Sequence, residues 1–519
     1  MSQPDTRTRI ARWTGKKTIV GVLLVALVLW MSLANLESVP PLWWDEGWTL
    51  SVARNWVELG HYGQLLNGQP RSAGLSAAFP VVAPIALSFR LFGVGIWQGR
   101  LVGVLYMFAS LALIYCLARR LYSRPVAVGT LGVLLLMPVS ERLHPILIGR
   151  EALGEMPAIF CLLTGYLCFF LALRGRAWLL VPAMLAWGIA VRAKGEVPPF
   201  WLVSLLLPLA VALLKRWWKQ AILLASGLAG SLVAAELVGR LQGLVLHGAL
   251  PATPAAGVYE LTALVLDLNV RVGALLIPLT FGLPTALGIC VAAWQSFRLL
   301  RQRVPDINLE IVRLALLGLT GSWLAWYVLL SISWPRYVFP ALFVGGPFAS
   351  ALLYNLTGRF DLPATVRNAN SMILGRHLNR VTGGALLAVV LIALMIGGGL
   401  QVSALSLTTL ADSSVVQVAR FFDTQTVPDA LIESYESELF FLVHRRYHYP
   451  PDDIHVQLNR RNWLNPDTPV DYDPLAADPD YLVAGPAGEE GRLYDPVLAT
   501  GAFRPLFTTP RYKVYERVR

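Results

Sequence analysis

The chain has 519 residues, 55% of them apolar and only 14% charged. That balance excludes an ordinary soluble domain and a disordered chain. The net charge of +11 is not a nucleic-acid signal, because the basic excess falls in short loops between apolar runs, where the positive-inside rule puts it.

Arg7, Arg9, Arg12, Lys16 and Lys17 precede an apolar run over 18–36. Ser32-Leu33-Ala34 resembles a small-residue cleavage site. The run exceeds a signal-peptide core of about 7–15 residues, so it reads as a retained first helix. Further spans are predicted at 97–118, 125–140, 156–173, 177–191, 197–214, 220–238, 273–295, 313–332, 337–355 and 382–402. That makes about eleven transmembrane helices, each able to cross or nearly cross a hydrocarbon core of about 30 Å. The segment 77–96 is broken by Pro80, Pro84 and Arg90 and reads as interfacial or re-entrant. With the N-terminus inside, dense basic loops fall on one side: Arg119, Arg120 and Arg124; Arg174 and Arg176; Lys215, Arg216 and Lys219; Arg298, Arg301 and Arg303; Arg359, Arg367, Arg376 and Arg380. The sequon Asn355-Leu356-Thr357 lies on that cytoplasmic side and implies no glycan. Cys116, Cys161, Cys168 and Cys290 sit inside apolar runs, so no disulfide framework is implied.

Beyond about Val402 the long apolar runs stop. Residues 1–402 read as a membrane domain, with a first external loop over about 37–96, and 403–519 as a soluble α/β domain. In that tail "SSVVQVARFFDT" has helical periodicity and "SELFFLVHRRY" reads as a short helix. "ALIESYE", "YLVAG" and "RYKVYERV" read as strands.

Charges in or beside apolar spans are costly, which makes them functional candidates. Four neighbourhoods on the external side hold them. Asp45 and Glu46 precede "GWTLSVARNWVELG", which reads as an interfacial amphipathic helix. "HPILIGREALGEMP" carries His144, Arg150, Glu151 and Glu155. "RAKGEVPP" carries Arg192, Lys194 and Glu196, and "SWPRYVFP" carries Arg336 and Tyr337. Each also has a plain reading: a solvated acidic loop, a helix cap, snorkelling cations or an interface anchor. His144 and His247 read as structural, since no metal-ligand spacing joins them. No phosphate-binding glycine loop or Ser/His/Asp signature is present.

Acids and bases gathered at one membrane face suit a definite chemistry. A carboxylate can take a proton from an attacking hydroxyl. Lys and Arg can hold a phosphate as it leaves, and helix N-termini add partial positive charge. The parts fit transfer of a group from a lipid phosphate to a hydroxyl or amine.

The ordered motifs resemble the GT-C superfamily of membrane glycosyltransferases, in its protein mannosyltransferase and lipid A aminoarabinose transferase branch. "WWDEGWTLSVARNWVELGHYG" is similar to the family's first external loop, and "IGREALGEMPAIFCLLTGYLCFFLALR" to its second acidic segment. "VRAKGEVPPFWLV" and "WPRYVFPAL" resemble its later basic elements. The resemblance implies a polytopic α-helical GT-C protein with a small C-terminal extracytoplasmic α/β domain. It implies inverting transfer from a polyprenyl-phosphate sugar donor to a glycan, lipid or protein acceptor in the bilayer, with no nucleic-acid partner. Asp45 would be the base, supported by Glu46, and Glu151 and Glu155 the second acidic site, for acceptor or metal. Lys194 and Arg336 would contact the donor phosphate, assisted by Arg150 and Tyr337. A divalent metal is compatible with this set and not required by it. The expected location is the plasma (inner) membrane, multi-pass, with a cytoplasmic N-terminus. The competing expectations are a transporter or flippase of lipid-linked sugars, which intramembrane charge also suits, and a non-catalytic scaffold.

Overall fold

The structure is a computed structural model describing residues 21–74, 77–136, 143–246, 261–375, 379–408 and 412–519. The basic cluster Arg7 to Lys17, the ends of the expected 18–36 and 125–140 spans, His247 and Arg376 lie outside the described residues.

Length and apolarity decide which helices can cross a bilayer. Eight described helices qualify: α4 (Ile96–Leu121), α7 (Glu155–Leu173), α9 (Val197–Leu214), α10 (Trp218–Val245), α12 (Leu283–Arg301), α13 (Ile307–Leu329), α14 (Pro335–Leu356) and α16 (Arg380–Thr408). Shorter apolar helices are α1 (Gly21–Leu33), α3 (Phe79–Phe92), α5 (Arg124–Leu136), α8 (Leu180–Ala193) and α11 (Leu268–Leu279). The polar or very short ones are α2 (Trp44–Leu59), α6 (Pro145–Gly149) and α15 (Leu362–Ile373). Large apolar side chains such as Leu214, Ile222 and Leu244 stand exposed on the bundle, as a lipid-facing surface requires.

Two sequence expectations are corrected here. The single span expected at 273–295 is two helices, α11 and α12, broken at Thr280-Phe281-Gly282; Pro284 sits in the first turn of α12, where proline suits the start of a helix and disfavours its continuation from the preceding residue. The helix after Asp45 is not an amphipathic interfacial helix. It starts earlier, at Trp44, and its residues from Glu46 to Asn55 are buried all round, because the tail covers the side that would otherwise face water.

Small residues bring the helix backbones together. A Cβ on Gly188 of α8 would lie 2.8 Å from the Ala235 nitrogen of α10, and one on Gly288 of α12 2.5 Å from the backbone of α14. The helix α14 threads the middle of the bundle, with all residues from Tyr337 to Leu353 buried.

The tail is a mixed five-stranded sheet flanked by helices. Its strands are β3 (Leu431–Ser434), β4 (Arg446–His448), β5 (Tyr481–Ala484), β6 (Phe503–Thr508) and β7 (Lys513–Arg517), in the order β4-β3-β5-β7-β6. Strand β3 is parallel to both neighbours and buried throughout, as parallel strands covered on two faces are. The helices are α17 (Ser414–Gln425), α18 (Ser437–Leu442) and α19 (Asp452–Trp463). The expected strands at 431, 481 and 513 and the helix at 414 form. "SELFFLVHRRY" is not one helix: it turns at Val443 and enters β4.

The tail closes onto the first loop through backbone contact. A Cβ on Gly47 of α2 would lie 2.2 Å from the Cα of Glu438 in α18, so no other residue fits there. The Arg54 guanidinium donates to the carbonyls of Phe441 (2.6 Å) and Val443 at the C-terminus of α18, where cations suit the helix dipole. The Trp44 indole donates to the Tyr435 carbonyl at 2.7 Å. Further along the loop, strands β1 (Leu65–Leu66) and β2 (Gln69–Pro70) form a hairpin turned by Asn67-Gly68, both at positive φ, the favoured two-residue turn. Asn67 N–H donates to the Tyr447 carbonyl of β4 at 2.7 Å. A Gly47→Val change is expected to separate α2 from α18 and cost about 1–3 kcal/mol or more by overpacking. Limited proteolysis checks it: the variant's tail should be cut faster than the wild type's.

Candidate active site

All four charged neighbourhoods supply side chains to a single cluster. Asp45 comes from the first turn of α2 and Glu155 from the first turn of α7. Lys194 follows the last residue of α8, and Arg336 follows Pro335 at the start of α14. Proline is well placed at the first helical position, where its missing N–H costs nothing. The cluster therefore gathers three helix N-termini, each with partial positive charge.

Arg336 is ion-paired with Asp45, and both side chains are mostly buried. Its guanidinium also lies over the rings of Trp43 (5.1 Å), Trp334 (5.6 Å) and Tyr337 (5.5 Å), a cation–π cage that fixes its plane. Lys194 Nζ lies 2.7 Å from Glu155 Oε1 and 3.8 Å from Glu196 Oε2. Burial works against the Lys194 ammonium, but Glu155 and Glu196 outweigh it and hold its pKa above the ordinary lysine range. Tyr337 bridges the two pairs, with Lys194 Nζ 5.9 Å from its ring. Glu155 Oε2 is buried with no hydrogen-bond partner among the described residues.

The remaining sequence candidates lie elsewhere. Glu46 does not join Asp45. Its carboxylate accepts from Arg100 Nε at 2.7 Å and Nη2 at 2.6 Å, and from the Ala152 N–H at 3.0 Å. Both side chains of the pair are fully buried. Neighbours on a helix point about 100° apart, so Asp45 faces the cluster and Glu46 faces α4. Arg150 donates to the Met31 and Ala34 carbonyls at 2.7 and 2.5 Å, tying the loop to the end of α1 instead of reaching the cluster. Glu151 is buried, and its carbonyl would meet a Cβ on Gly103 of α4 at 2.8 Å. Arg192 turns to α10, donating to the Ala235 carbonyl at 3.0 Å. His144 accepts from Ile146 N–H and caps α6.

Sequence reasoning passed over Arg100. Its signal was available: an arginine just inside an apolar span needs a buried partner. Glu196 was noted in its neighbourhood but given no role, and it stands beside Lys194. Among the described residues no group of three metal-binding side chains gathers, and Asp45, Glu155 and Glu196 each already face a cation.

Under the cluster the tail carries its own buried acids. Glu436 accepts from the N–H groups of Gly488 (2.8 Å) and Ala487 (3.4 Å). Glu438 accepts from the Tyr512 hydroxyl at 2.7 Å. Burial, then the neighbouring Glu438, pushes the Glu436 carboxyl up to about 8 against those two N–H groups. Burial raises Glu438 as well, with Tyr512 and Arg511 opposing.

Comparison with known proteins follows this geometry. Residues 79–238 match the model of the dolichyl-phosphate-mannose-protein mannosyltransferase family. ArnT from Cupriavidus metallidurans, solved with undecaprenyl phosphate bound, is 16% identical with a TM-score of 0.61, over 96% of this chain and 98% of that one. The oligosaccharyltransferase AglB from Archaeoglobus fulgidus, in complex with an inhibitory peptide and a dolichol-phosphate, is 12% identical with a TM-score of 0.55, over 98% of this chain and 75% of that one. No curated protein matches the chain. The chain shares the fold of these two proteins along nearly its whole length, as the ordered motifs imply.

Two outcomes are expected. Glu46→Gln weakens a buried ion pair whose loss typically costs about 3–5 kcal/mol, so its melting temperature should fall well below that of an Asp45→Asn protein. For the tail, the folded state keeps a proton on Glu436 that an unfolded chain loses near pH 4.5. Stability should therefore fall as pH rises from about 5 to 8. Melting curves of Glu438→Gln across that range should show a shallower fall than the wild type.

Proposed function

We propose that this chain transfers a sugar from a polyprenyl-phosphate donor to a hydroxyl or amine acceptor on the extracytoplasmic membrane face, with inversion. The observation that carries the reading is the meeting of Asp45, Glu155, Lys194 and Arg336 at three helix N-termini. The donor class is taken from the polyprenyl and dolichol phosphates named with the two structural neighbours.

In the free protein each cation is neutralised by a carboxylate. A donor phosphate entering from the bilayer competes for Arg336 and Lys194, and frees the Asp45 carboxylate. The acceptor oxygen or nitrogen then attacks the anomeric carbon from the face opposite the phosphate. The new bond to that carbon forms as the carbon–oxygen bond to phosphate breaks, through an oxocarbenium-like transition state. Asp45 takes the acceptor's proton. Arg336, Lys194 and the helix N-termini stabilise the charge returning to the lipid phosphate. No step requires a metal.

The basic residues support the side assignment. Helices that start at the cluster are followed at their far ends by Arg174 after α7 and Lys215 after α9, a basic flank that favours the cytoplasmic side for that end. The cluster sits at one end of the bundle, which favours transfer over transport, because transporter sites lie near the midplane.

Asp45→Asn should insert and fold, melting somewhat below the wild type because Arg336 loses its carboxylate, while turnover falls about 10²–10⁴-fold, the usual weight of a general base. Release of lipid phosphate from a panel of polyprenyl-phosphate sugars measures it. Wild-type turnover by the variant on a donor the native protein uses would remove the base assignment.

A further inference from the structure

At the bundle end remote from Asp45 a cavity of about 750 Å³ opens between helix ends. Arg174, Lys215, Trp217, Gln220, Arg303 and Asn308 are among its lining residues. Its position follows from chain geometry. Glu155 and Arg174 bracket the 19 residues of α7, so the cavity lies about 28 Å from the charged cluster along that helix. That is close to the thickness of a hydrocarbon core.

Its charge is uneven. Arg174 is already ion-paired with Asp306, the carboxylate that also caps α13 by accepting from Leu309 N–H. Gln220 donates to Asn308 at 2.9 Å, and Asn308 donates to the Leu173 carbonyl. These bonds fasten the wall. Lys215 and Arg303 have no carboxylate within ion-pair reach among the described residues. The turn that presents Lys215 is built tightly. Arg216 adopts positive φ, and Trp217 N–H returns to the Ala212 carbonyl at 2.8 Å. Trp217 then stands beside Lys215 at the end of two apolar helices, where an indole suits the headgroup layer.

We propose that this cavity binds the phosphate of an anionic lipid headgroup, held by Lys215 and Arg303 with Trp217 against the glycerol and upper acyl carbons. Two cations without acidic partners supply the attraction, and the polar wall accepts hydroxyls. The volume suits a glycerophosphate headgroup, and the place is where basic pockets between membrane helices meet anionic lipid. The site is separate from Asp45 and does not depend on the proposed transfer reaction.

The test uses the full chain in neutral detergent. Native mass spectrometry counts retained phosphatidylglycerol, with phosphatidylcholine, inorganic phosphate and glycerol 1-phosphate as the other probes. Phosphatidylglycerol should bind, and the double variant Lys215→Gln, Arg303→Gln should bind it about tenfold or more weakly, at about 1 kcal/mol per cation lost. The variant's melting temperature and turnover in detergent should match the wild type. Equal retention of phosphatidylglycerol by wild type and variant overturns the site. Equal binding of phosphatidylcholine overturns the selectivity for net negative charge. Binding of inorganic phosphate or glycerol 1-phosphate as tight as that of the lipid overturns the lipid as occupant.

Discussion

A single buried ion pair sets the geometry on which the rest depends. Glu46 and Arg100 hold each other with two hydrogen bonds out of contact with water. Arg100 spends its third nitrogen on the carbonyls of Leu36 and Pro40, and Glu46 takes the Ala152 N–H. Four stretches of backbone, around residues 36–40, 46, 100 and 152, are tied together by two side chains. Two buried charges are costly unless every polar atom is met, and here the surplus donors and acceptors all find partners. The pair thereby fixes the first turn of α2, and with it the direction in which Asp45 points.

The cluster built on that frame is balanced in the free protein. Asp45 neutralises Arg336, and Glu155 neutralises Lys194. Such pairs keep cations ordered in a poorly solvated place without committing them to one ligand. In the proposed reaction an incoming phosphate would replace carboxylate with a group of like charge, so the cations would change partner without becoming uncompensated.

The sequence made the cluster legible because charge beside apolar runs is conspicuous. Asp45, Glu155, Lys194 and Arg336 each came from a different neighbourhood, and each arrived. Glu46 misled because adjacency in sequence is not adjacency on a helix. Arg150 misled because its carbonyl partners at Met31 and Ala34 are far away in the chain and carry no charge to betray them. In the tail, β4 has three residues, and β6 is an edge strand carrying Pro505 and a register shift. Short and proline-bearing edges leave little periodicity to read. The burial of α2 was not legible at all, since it depends on a helix that lies almost four hundred residues further on.

That separation has a consequence for how the molecule is made. The Trp44 indole meets the Tyr435 carbonyl across 391 residues. At about 5–20 residues per second, the interval is on the order of 20–80 s of synthesis. Over that interval the residues of α18 that pack on Gly47 have not yet been made. A chain halted before Tyr435 would carry every member of the charged cluster and still lack the wall behind it. The wall over α2 is therefore made after every member of the cluster.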